Sequence, residues 1–227
     1  MERLVASEEG LLKALVSAQD RLSRAIKALA PKHKGGEMEE YLAAHSALLE
    51  AERALASKRG EPHAVPIEFP VLWDTGAPLP HVLMNDYKTL LLFILNEPDP
   101  AWDGTYVNVV NPNTSEPENL ALVEFKACSS AKLGSPNDEV NQGHPLHGKG
   151  YQGYSALKVI NSPWIKELQA INSVHPQYDP SRWGDRNHYI LGFHDSTFEC
   201  VARGLSVETI RMSFPEALAF ACQRLTA

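Results

Sequence analysis

The first part of the chain carries its apolar residues at the spacing of an amphipathic helix. From Leu11 to Leu29, leucine and alanine recur at alternating intervals of four and three residues, which places one narrow apolar stripe on a helix. Ser7 has the side chain of an N-cap, and Pro31 disfavours the helical conformation in the residue before it. We therefore expect a first helix between these two positions.

A second helical pattern covers residues 37–57, after a short loop that contains Gly35 and Gly36. A short loop joins consecutive helices into an antiparallel hairpin. Two helices alone bury too little surface for stability, so the hairpin of residues 7–57 must pack on the rest of its own chain or form a homo-oligomer. The pattern leaves both alternatives open.

The spacing of apolar residues within residues 37–57 predicts the side of the second helix that packs. That side carries Met38, Tyr41, Leu42, His45, Leu48, Leu49 and Leu55.

Beyond a linker at residues 58–66, the apolar residues form short runs typical of strands. These runs are separated by Asn, Asp, Gly and Pro, and no helix-length segment lies between them. Neighbouring strands joined by such short connections pair antiparallel, so we expect a largely antiparallel sheet. The predicted strands are residues 81–84, 89–95, 106–110 and 120–125.

Two further helices follow the strands. Ser162 and Pro163 fit an N-cap and first helical position, opening a helix that runs through Ile171. Ser213 and Glu216 have the spacing of a capping box. They open a final helix through residue 225, whose sheet-facing residues are predicted to be Leu218, Ala219, Cys222 and Leu225.

The sequence therefore predicts an α+β fold, with a largely antiparallel sheet covered by helices on one face and an N-terminal antiparallel helical hairpin. We assign residues 1–60 to the hairpin, as an assembly or packing appendage. Residues 61–227 form the α+β domain, with a long polar loop at residues 133–154.

Charge supports this division and excludes some partners. The formal net charge is −7; residues 1–60 contribute 10 basic and 9 acidic side chains, and residues 61–227 contribute 11 and 19. An acidic body argues against nucleic-acid binding. The longest apolar run, residues 90–95, is far shorter than the ~18 residues of a membrane span. The three cysteines are widely spaced, which argues against a disulfide framework and favours reduced thiols in the cytoplasm.

The polar loop is the least generic part of the chain. Residues 134–151 have no regular period, and loops of this length are commonly functional. Five of the nine histidines lie in or after it: His144, His147, His175, His188 and His194. The candidate ligand-binding residues are His144, His147, Lys149 and Tyr151.

Imidazoles near carboxylates also suggest a divalent metal, with His144, His147 and His194 as candidate ligands. Pro145 lies between the first two of these histidines and disfavours a helix that would align them. In the alternative, the loop histidines are structural and bind the backbone. Apart from this metal, the sequence indicates no cofactor.

Residues 188–200 are predicted to form a hairpin whose turn contains Asp195 and Ser196. Strand alternation would bring Glu199 beside His188, and Cys200 would point into the core. The histidine and the glutamate are then either an acid/base couple or a cross-strand ion pair. The candidate catalytic residues are His194, Glu199, Asp138 and Glu139.

Several motifs in residues 80–205 resemble a family of uncharacterised bacterial proteins with no assigned activity. The resemblance implies no catalytic role, and residues 1–60 lie outside it. The motifs that carry it are residues 136–139 (PNDE), 143–146 (GHPL), 148–150 (GKG), 161–165 (NSPWI), 172–176 (NSVHP), 188–190 (HYI) and 193–200 (FHDSTFEC).

These observations favour a binding module that uses the histidine-rich loop and the hairpin of residues 188–200 to hold a small molecule or a protein. The alternative is an enzyme that performs acid/base or metal-assisted hydrolysis with His, Asp and Glu side chains of the same region.

Overall fold

A computed structural model describes residues 7–29, 36–97 and 111–226 of the chain. These residues form two compact units. The first unit contains the chain up to Val65 together with residues 145–151 and 159–162, and the second contains the remaining segments. The predicted strand at residues 106–110 lies outside the described residues.

The first unit contains the predicted helical hairpin. Helix α1 spans Glu8–Ala28 and helix α2 spans Glu37–Lys58, and the two pack together. The Ser7 hydroxyl accepts a hydrogen bond from the Gly10 N–H, so this residue is the predicted N-cap. The stripe is confirmed, since its members are the most buried residues of α1: Leu11, Leu15, Ala18, Leu22 and Ala25.

The prediction for α2 is wrong at two positions. Met38 and Leu42 are exposed, whereas Tyr41, His45, Leu48, Leu49 and Leu55 are buried or half-buried. The buried side of α2 is centred on Ala44, and Met38 and Leu42 lie beside that side rather than on it. The stripe of α1 therefore packs on α2, and these two apolar residues remain accessible.

Residues 145–151 join the first unit through polar contacts with α2. The Arg53 guanidinium donates hydrogen bonds to the Ala64 carbonyl at 2.9 Å and the Gly150 carbonyl at 3.1 Å. The Gly150 N–H in turn donates to the Glu52 carboxylate. Gly150 has φ +81°, and a Cβ atom there would lie 2.6 Å from the Ala64 carbonyl oxygen, so this close approach requires glycine.

The remaining strands form two sheets. One sheet has the order β2-β3-β4-β9, with β2 at His81–Met84, β3 at Thr89–Ile94, β4 at Glu118–Lys126 and β9 at Gly204–Met212. The other has the order β1-β6-β7-β8-β5, with β1 at His63–Pro66, β5 at Ser130–Gly134, β6 at Ala156–Ile160, β7 at Asn187–Gly192 and β8 at Thr197–Ala202. Helix α3 spans Pro163–Asn172, helix α4 spans Phe214–Thr226, and short 3-10 turns lie at Asp138–Gly143 and Pro180–Trp183.

The predicted α+β class with antiparallel strand pairing is confirmed, although the strands divide into two sheets rather than one. Within the second unit, the inner faces of the two sheets share one core. Leu91 and Phe93 of β3 contribute from one side, and Leu191 and Phe198 from the other. Trp73 packs among these residues and donates its indole N–H to the Gly192 carbonyl at 3.1 Å.

Helix α4 covers the outer face of the four-stranded sheet, so both faces of β3 are buried. The helix contributes Phe214, Ala217 and Ala221 to this second core. The sequence prediction of its buried face is correct for Leu218 and Leu225 but wrong for Ala219 and Cys222, which are exposed. The buried line begins at Phe214 and is therefore rotated from the predicted one.

No helix among the described residues has the length and apolar character needed to cross a membrane.

The α4 capping box generates a stability prediction. The Glu216 carboxylate accepts hydrogen bonds from the Ser213 N–H at 3.1 Å and from its hydroxyl at 2.7 Å. We expect Ser213→Ala to lower the free energy of unfolding by about 1 kcal/mol, because the Glu216 N–H, which donates to the Ser213 hydroxyl at 3.4 Å, loses its side-chain partner. Urea denaturation checks this, with Ser206→Ala at an exposed strand position as the control. An equal loss in both variants would contradict the prediction.

Candidate functional site

The hairpin formed by β7 and β8 positions most of the candidate residues. The Phe193 N–H donates to the Ser196 carbonyl at 2.8 Å, which closes the predicted turn. Strand alternation directs Phe198 and Cys200 into the core between the sheets. His188 and Glu199 therefore share the opposite face, and their predicted pairing is confirmed by a hydrogen bond of 2.8 Å between Nε2 and Oε2.

Glu199 is the centre of a polar group, which we call the Glu199 cluster (Lys132, His144, His188 and Glu199); all of its members except Lys132 are buried. The Lys132 ammonium lies 2.8 Å from Glu199 Oε1. His144 Nε2 lies 3.8 Å from the same oxygen, a distance of electrostatic contact rather than of a hydrogen bond. The indole ring of Trp164 on α3 packs edge-on against His188 and beneath the lysine ammonium.

The electrostatics of this cluster favour an ionised carboxylate. Burial by itself raises the pKa of Glu199, but the contacts with His144, His188 and Lys132 outweigh burial and hold the pKa well below its ordinary value. An ionised carboxylate only accepts hydrogen bonds, so Nε2 of His188 carries the hydrogen. The Glu199 oxygens are thus occupied by protein donors, which suits a structural role better than proton transfer.

A second group lies at the hairpin turn, and we call it the His194 cluster (Asp138, Tyr154 and His194). His194 Nδ1 is 2.9 Å from Asp138 Oδ2 and 2.8 Å from the Tyr154 hydroxyl oxygen. The Tyr154 hydroxyl donates to Asp138 Oδ2 at 2.5 Å. The Asp138 N–H also donates to the His194 carbonyl, which ties the loop to the turn.

Protonation in the His194 cluster follows from these contacts. The hydrogen bond from Tyr154 lowers the pKa of Asp138, burial opposes it, and His194 lowers it further. Burial and the hydrogen bond with Asp138 raise the pKa of Tyr154 well above its ordinary value, so its hydroxyl remains a donor. Asp138 is then an ionised acceptor, and Nδ1 of His194 carries the hydrogen. This leaves the lone pair on Nε2.

The two clusters differ in access. The His194 side chain is 41% exposed, and the Glu199 side chain is 9% exposed. In the part of the chain that the structure describes, the nearest carboxylate oxygen to His194 Nε2 is Asp195 Oδ1 at 3.9 Å, too far for a hydrogen bond. An oriented imidazole nitrogen at the surface can accept a hydrogen bond from a ligand or take up a proton.

The structure separates the four candidate catalytic residues. Asp138 and His194 are brought together, Glu199 lies in the other cluster, and Glu139 is exposed in the 3-10 turn. Among the candidate ligand-binding residues, His144 is buried in the Glu199 cluster.

The other three candidate ligand-binding residues lie in the first unit. His147 is exposed and Tyr151 is buried. Lys149 forms an ion pair with Glu61 at 2.9 Å.

The metal hypothesis receives no support from these positions. Residues 7–29, 36–97 and 111–226 contain no group of three or more His, Cys, Asp or Glu side chains arranged to hold a metal ion. His144 and His194 instead contact different carboxylates, those of Glu199 and Asp138. The three candidate ligands therefore remain an untested prediction.

Sequence reasoning missed the roles of two residues. Lys132 reaches Glu199 because β5 pairs with β8 and places the two directly opposite. The strand itself was not predicted, since Ser130–Gly134 is short and largely exposed at the sheet edge. Tyr154 enters the His194 cluster through a loop conformation that has no sequence period. Its only signal was an aromatic hydroxyl close to Asp138 in a polar loop.

Comparison of the chain with protein-family models, with curated proteins and with solved structures gave no match. The resemblance of residues 80–205 to a bacterial family therefore stays a prediction, and no residue role is transferred to this chain. The roles proposed below depend on the geometry of the described residues.

The Glu199 cluster predicts a pH-dependent stability. We expect Glu199→Gln to lower the free energy of unfolding at pH 7 by about 3 kcal/mol, because Lys132 loses its counter-charge and the glutamine NH2 group would face a donor inside the sheet. A depressed pKa stabilises the fold above the unfolded-state pKa of about 4.3, and this contribution is lost as the pH falls. The difference between wild type and variant should therefore shrink in acid.

Urea denaturation at pH 7 and at pH 3 measures this difference. Glu208→Gln is the matched control, since Glu208 of β9 forms an exposed ion pair with Arg224 of α4. We expect less than about 1 kcal/mol for the control at either pH. A Glu199→Gln effect as small as that of the control would show that the cluster contributes little.

Proposed function

We propose that this chain is a ligand-binding protein that takes a small molecule with a cationic, hydrogen-bond-donating group at the His194 cluster. The carrying observation is the orientation of His194, whose Nδ1 is held by Asp138 and Tyr154 while Nε2 has no carboxylate of the described residues within hydrogen-bond distance and the side chain is 41% exposed. A fixed acceptor on a part-exposed ring gives a ligand a defined direction of approach without further ordering of the protein.

The charge of the site supports a cationic ligand. Asp138 is ionised, and Asp195 next to His194 has a side chain that is 81% exposed. Both carboxylates act electrostatically on Tyr154, so both lie near the same hydroxyl. Residues 61–227 carry 19 acidic and 11 basic side chains, and this excess attracts cations over a longer range.

Backbone conformation gives independent support for a functional site here. Tyr154 has φ +53°, in the left-handed region that non-glycine residues rarely adopt. Such conformations persist where the surroundings hold them and concentrate at binding and catalytic sites. The hydroxyl contacts of Tyr154 are the interactions that hold this residue in place.

A second candidate function is acid–base catalysis at the same residues. The observation that favours it is the carboxylate–histidine pair itself, since Asp138 at 2.9 Å from Nδ1 sets the tautomer that makes Nε2 a general base. His194 Nε2 would then take a proton from a substrate or from water. This second function uses the same residues as the first. Turnover of a substrate distinguishes the two.

Ring nitrogen shifts of the histidines, measured by NMR, test the binding proposal. Spermidine serves as a cationic probe, and acetate and inorganic phosphate as anionic ones. We expect spermidine to shift the His194 resonances while the anions leave them unchanged. Asp138→Asn should weaken this binding about tenfold, because it removes the charge closest to the imidazole. Asp86→Asn, at an exposed turn position, is the matched control and should bind as wild type.

Binding of acetate or phosphate at His194, or equal spermidine binding by wild type and Asp138→Asn, would contradict the cationic class. Hydrolysis of p-nitrophenyl acetate separates the second candidate from the first. Turnover that disappears in both His194→Gln and Asp138→Asn would favour an enzyme. Turnover unchanged in His194→Gln would exclude catalysis by this imidazole.

We also propose that α1 mediates a homodimer. The stripe of α1 packs on α2, so this proposal depends on the opposite side of the helix. That side has a shallow groove with Leu12 and Val16, which are 39% and 55% exposed. Its charged lining residues are Glu9, Lys13, Asp20 and Arg24.

The order of these charges fits a second copy of the same helix. When two α1 helices pair antiparallel about a two-fold axis beside Val16, Glu9 of one faces Arg24 of the other, and Lys13 faces Asp20. A two-fold axis repeats each pair, so four opposite-charge contacts surround the exposed apolar residues. Self-complementary charge of this kind favours a second copy over an unrelated partner.

Charge exchange tests this dimer. We expect Lys13→Glu to weaken dimerisation about tenfold, because two attractive contacts become repulsive. Adding Asp20→Lys to the same chain should restore it. Lys166→Glu, an equal charge change on α3, is the control and should leave the dimer unchanged. Sedimentation equilibrium measures all four proteins, and a monomeric wild type or a double variant as weak as Lys13→Glu would contradict the proposal.

A cytoplasmic location is proposed on the basis of the cysteines. Cys128, Cys200 and Cys222 are all free thiols, and a reducing compartment keeps such thiols unpaired.

A further inference from the structure

We propose that Cys128 and Cys200 form a peroxide-sensitive dithiol that closes to a disulfide. Cys128 lies in the turn between β4 and β5, and Cys200 lies in β8. The two residues are far apart in sequence but belong to the same unit. This proposal depends on contacts in the core and is independent of any ligand at the His194 cluster.

Strand pairing holds the two thiols together. In the β5–β8 ladder, Ala131 lies opposite Cys200. The Ser129 N–H donates to the Val201 carbonyl at 2.7 Å, which holds the turn against β8. Cys200 is fully buried in the core between the sheets, and Cys128 packs half-buried against that core. The Cys128 thiol donates a hydrogen bond to the Ser130 carbonyl at 3.3 Å, and the Cys200 thiol lies close enough to act on the pKa of Cys128.

The surroundings of Cys128 favour its thiolate. The hydrogen bond from Cys200 lowers the pKa of Cys128, burial opposes this, and Thr89, the Ser130 backbone and the Arg186 charge lower the pKa further, to about 6. Burial raises the pKa of the Cys200 thiol, which therefore stays protonated. The pair thus combines a half-buried thiol of lowered pKa with a buried thiol that stays protonated.

Arg186 adds a second reason to expect oxidation at this place. Its guanidinium donates a hydrogen bond to the Ala127 carbonyl, next to Cys128. Its Nε–H is buried and has no hydrogen-bond partner among the described residues. The positive charge of Arg186 also lowers the pKa of Cys128 and so favours the thiolate that peroxide oxidises.

The chemistry balances with hydrogen peroxide as the oxidant. The Cys128 thiolate attacks one peroxide oxygen, an S–O bond forms, the O–O bond breaks and hydroxide leaves. The Cys200 sulfur then attacks the Cys128 sulfenic acid, an S–S bond forms, and the oxygen leaves as water with the Cys200 proton. Two thiols are oxidised by two electrons, and one peroxide is reduced to two water molecules.

A disulfide here would constrain the edge of the sheet at which β5 pairs with β8. It would tie the β4–β5 turn to β8, the strand that carries Glu199. The same turn leads into β5, the edge strand that carries Lys132. Oxidation would thereby fix the edge strand to its neighbour.

Peptide mass spectrometry of the full chain after treatment with hydrogen peroxide at pH 7 tests this proposal. We expect the intact protein to lose about 2 Da and to yield a linked peptide pair with Cys128 and Cys200, reversible by dithiothreitol. In Cys200→Ser, dimedone should label Cys128 at least about tenfold faster than the exposed Cys222. Cys222→Ser is the control and should form the same link as wild type.

Two results would overturn the proposal. One is oxidation of Cys222 as fast as that of Cys128. The other is conversion of Cys128 to sulfinic acid in wild type without any link to Cys200. Both are read from the wild-type protein, so a folding defect in Cys200→Ser does not affect the outcome.

Discussion

The antiparallel pairing of β7 and β8 is the constraint on which the other features of the second unit depend. Its short turn fixes the register, and strand alternation then assigns each side chain to one face. Phe198 and Cys200 enter the core, while His188 and Glu199 meet on the other face. The turn itself presents His194 to Asp138. A shift of one residue in this register would reverse all of these positions.

The two charged clusters show how environment divides similar residue types between two roles. Both contain a carboxylate and an imidazole at hydrogen-bond distance. In the Glu199 cluster the carboxylate is buried and has a lysine as a further partner, so the group stabilises the outer face of the sheet. In the His194 cluster a tyrosine takes the place of that lysine, and the imidazole remains accessible. Function is therefore expected at the turn, and stability at the centre of the strands.

Much of the fold was predictable because it follows from local signals. The helix ends at Ser7 and Ser213, the stripe of α1 and the alternation around Glu199 each depend on a few neighbouring residues. The edge strand β5 was not predicted, since it is short and largely exposed and its pairing with β8 is non-local. The same reason applies to the site. Asp138, Tyr154 and His194 converge through loop conformations that no period in the sequence encodes.

The central claim is that Asp138 and Tyr154 hold His194 with its hydrogen on Nδ1 and its lone pair on Nε2. Long-range ¹H–¹⁵N NMR spectra of the neutral histidine rings test this most directly, since they distinguish the two tautomers. The account predicts a single Nδ1–H tautomer for His194 in wild type and a mixture of both tautomers in Asp138→Asn. A wild-type His194 in the Nε2–H form, or one already averaged between the two, would contradict it.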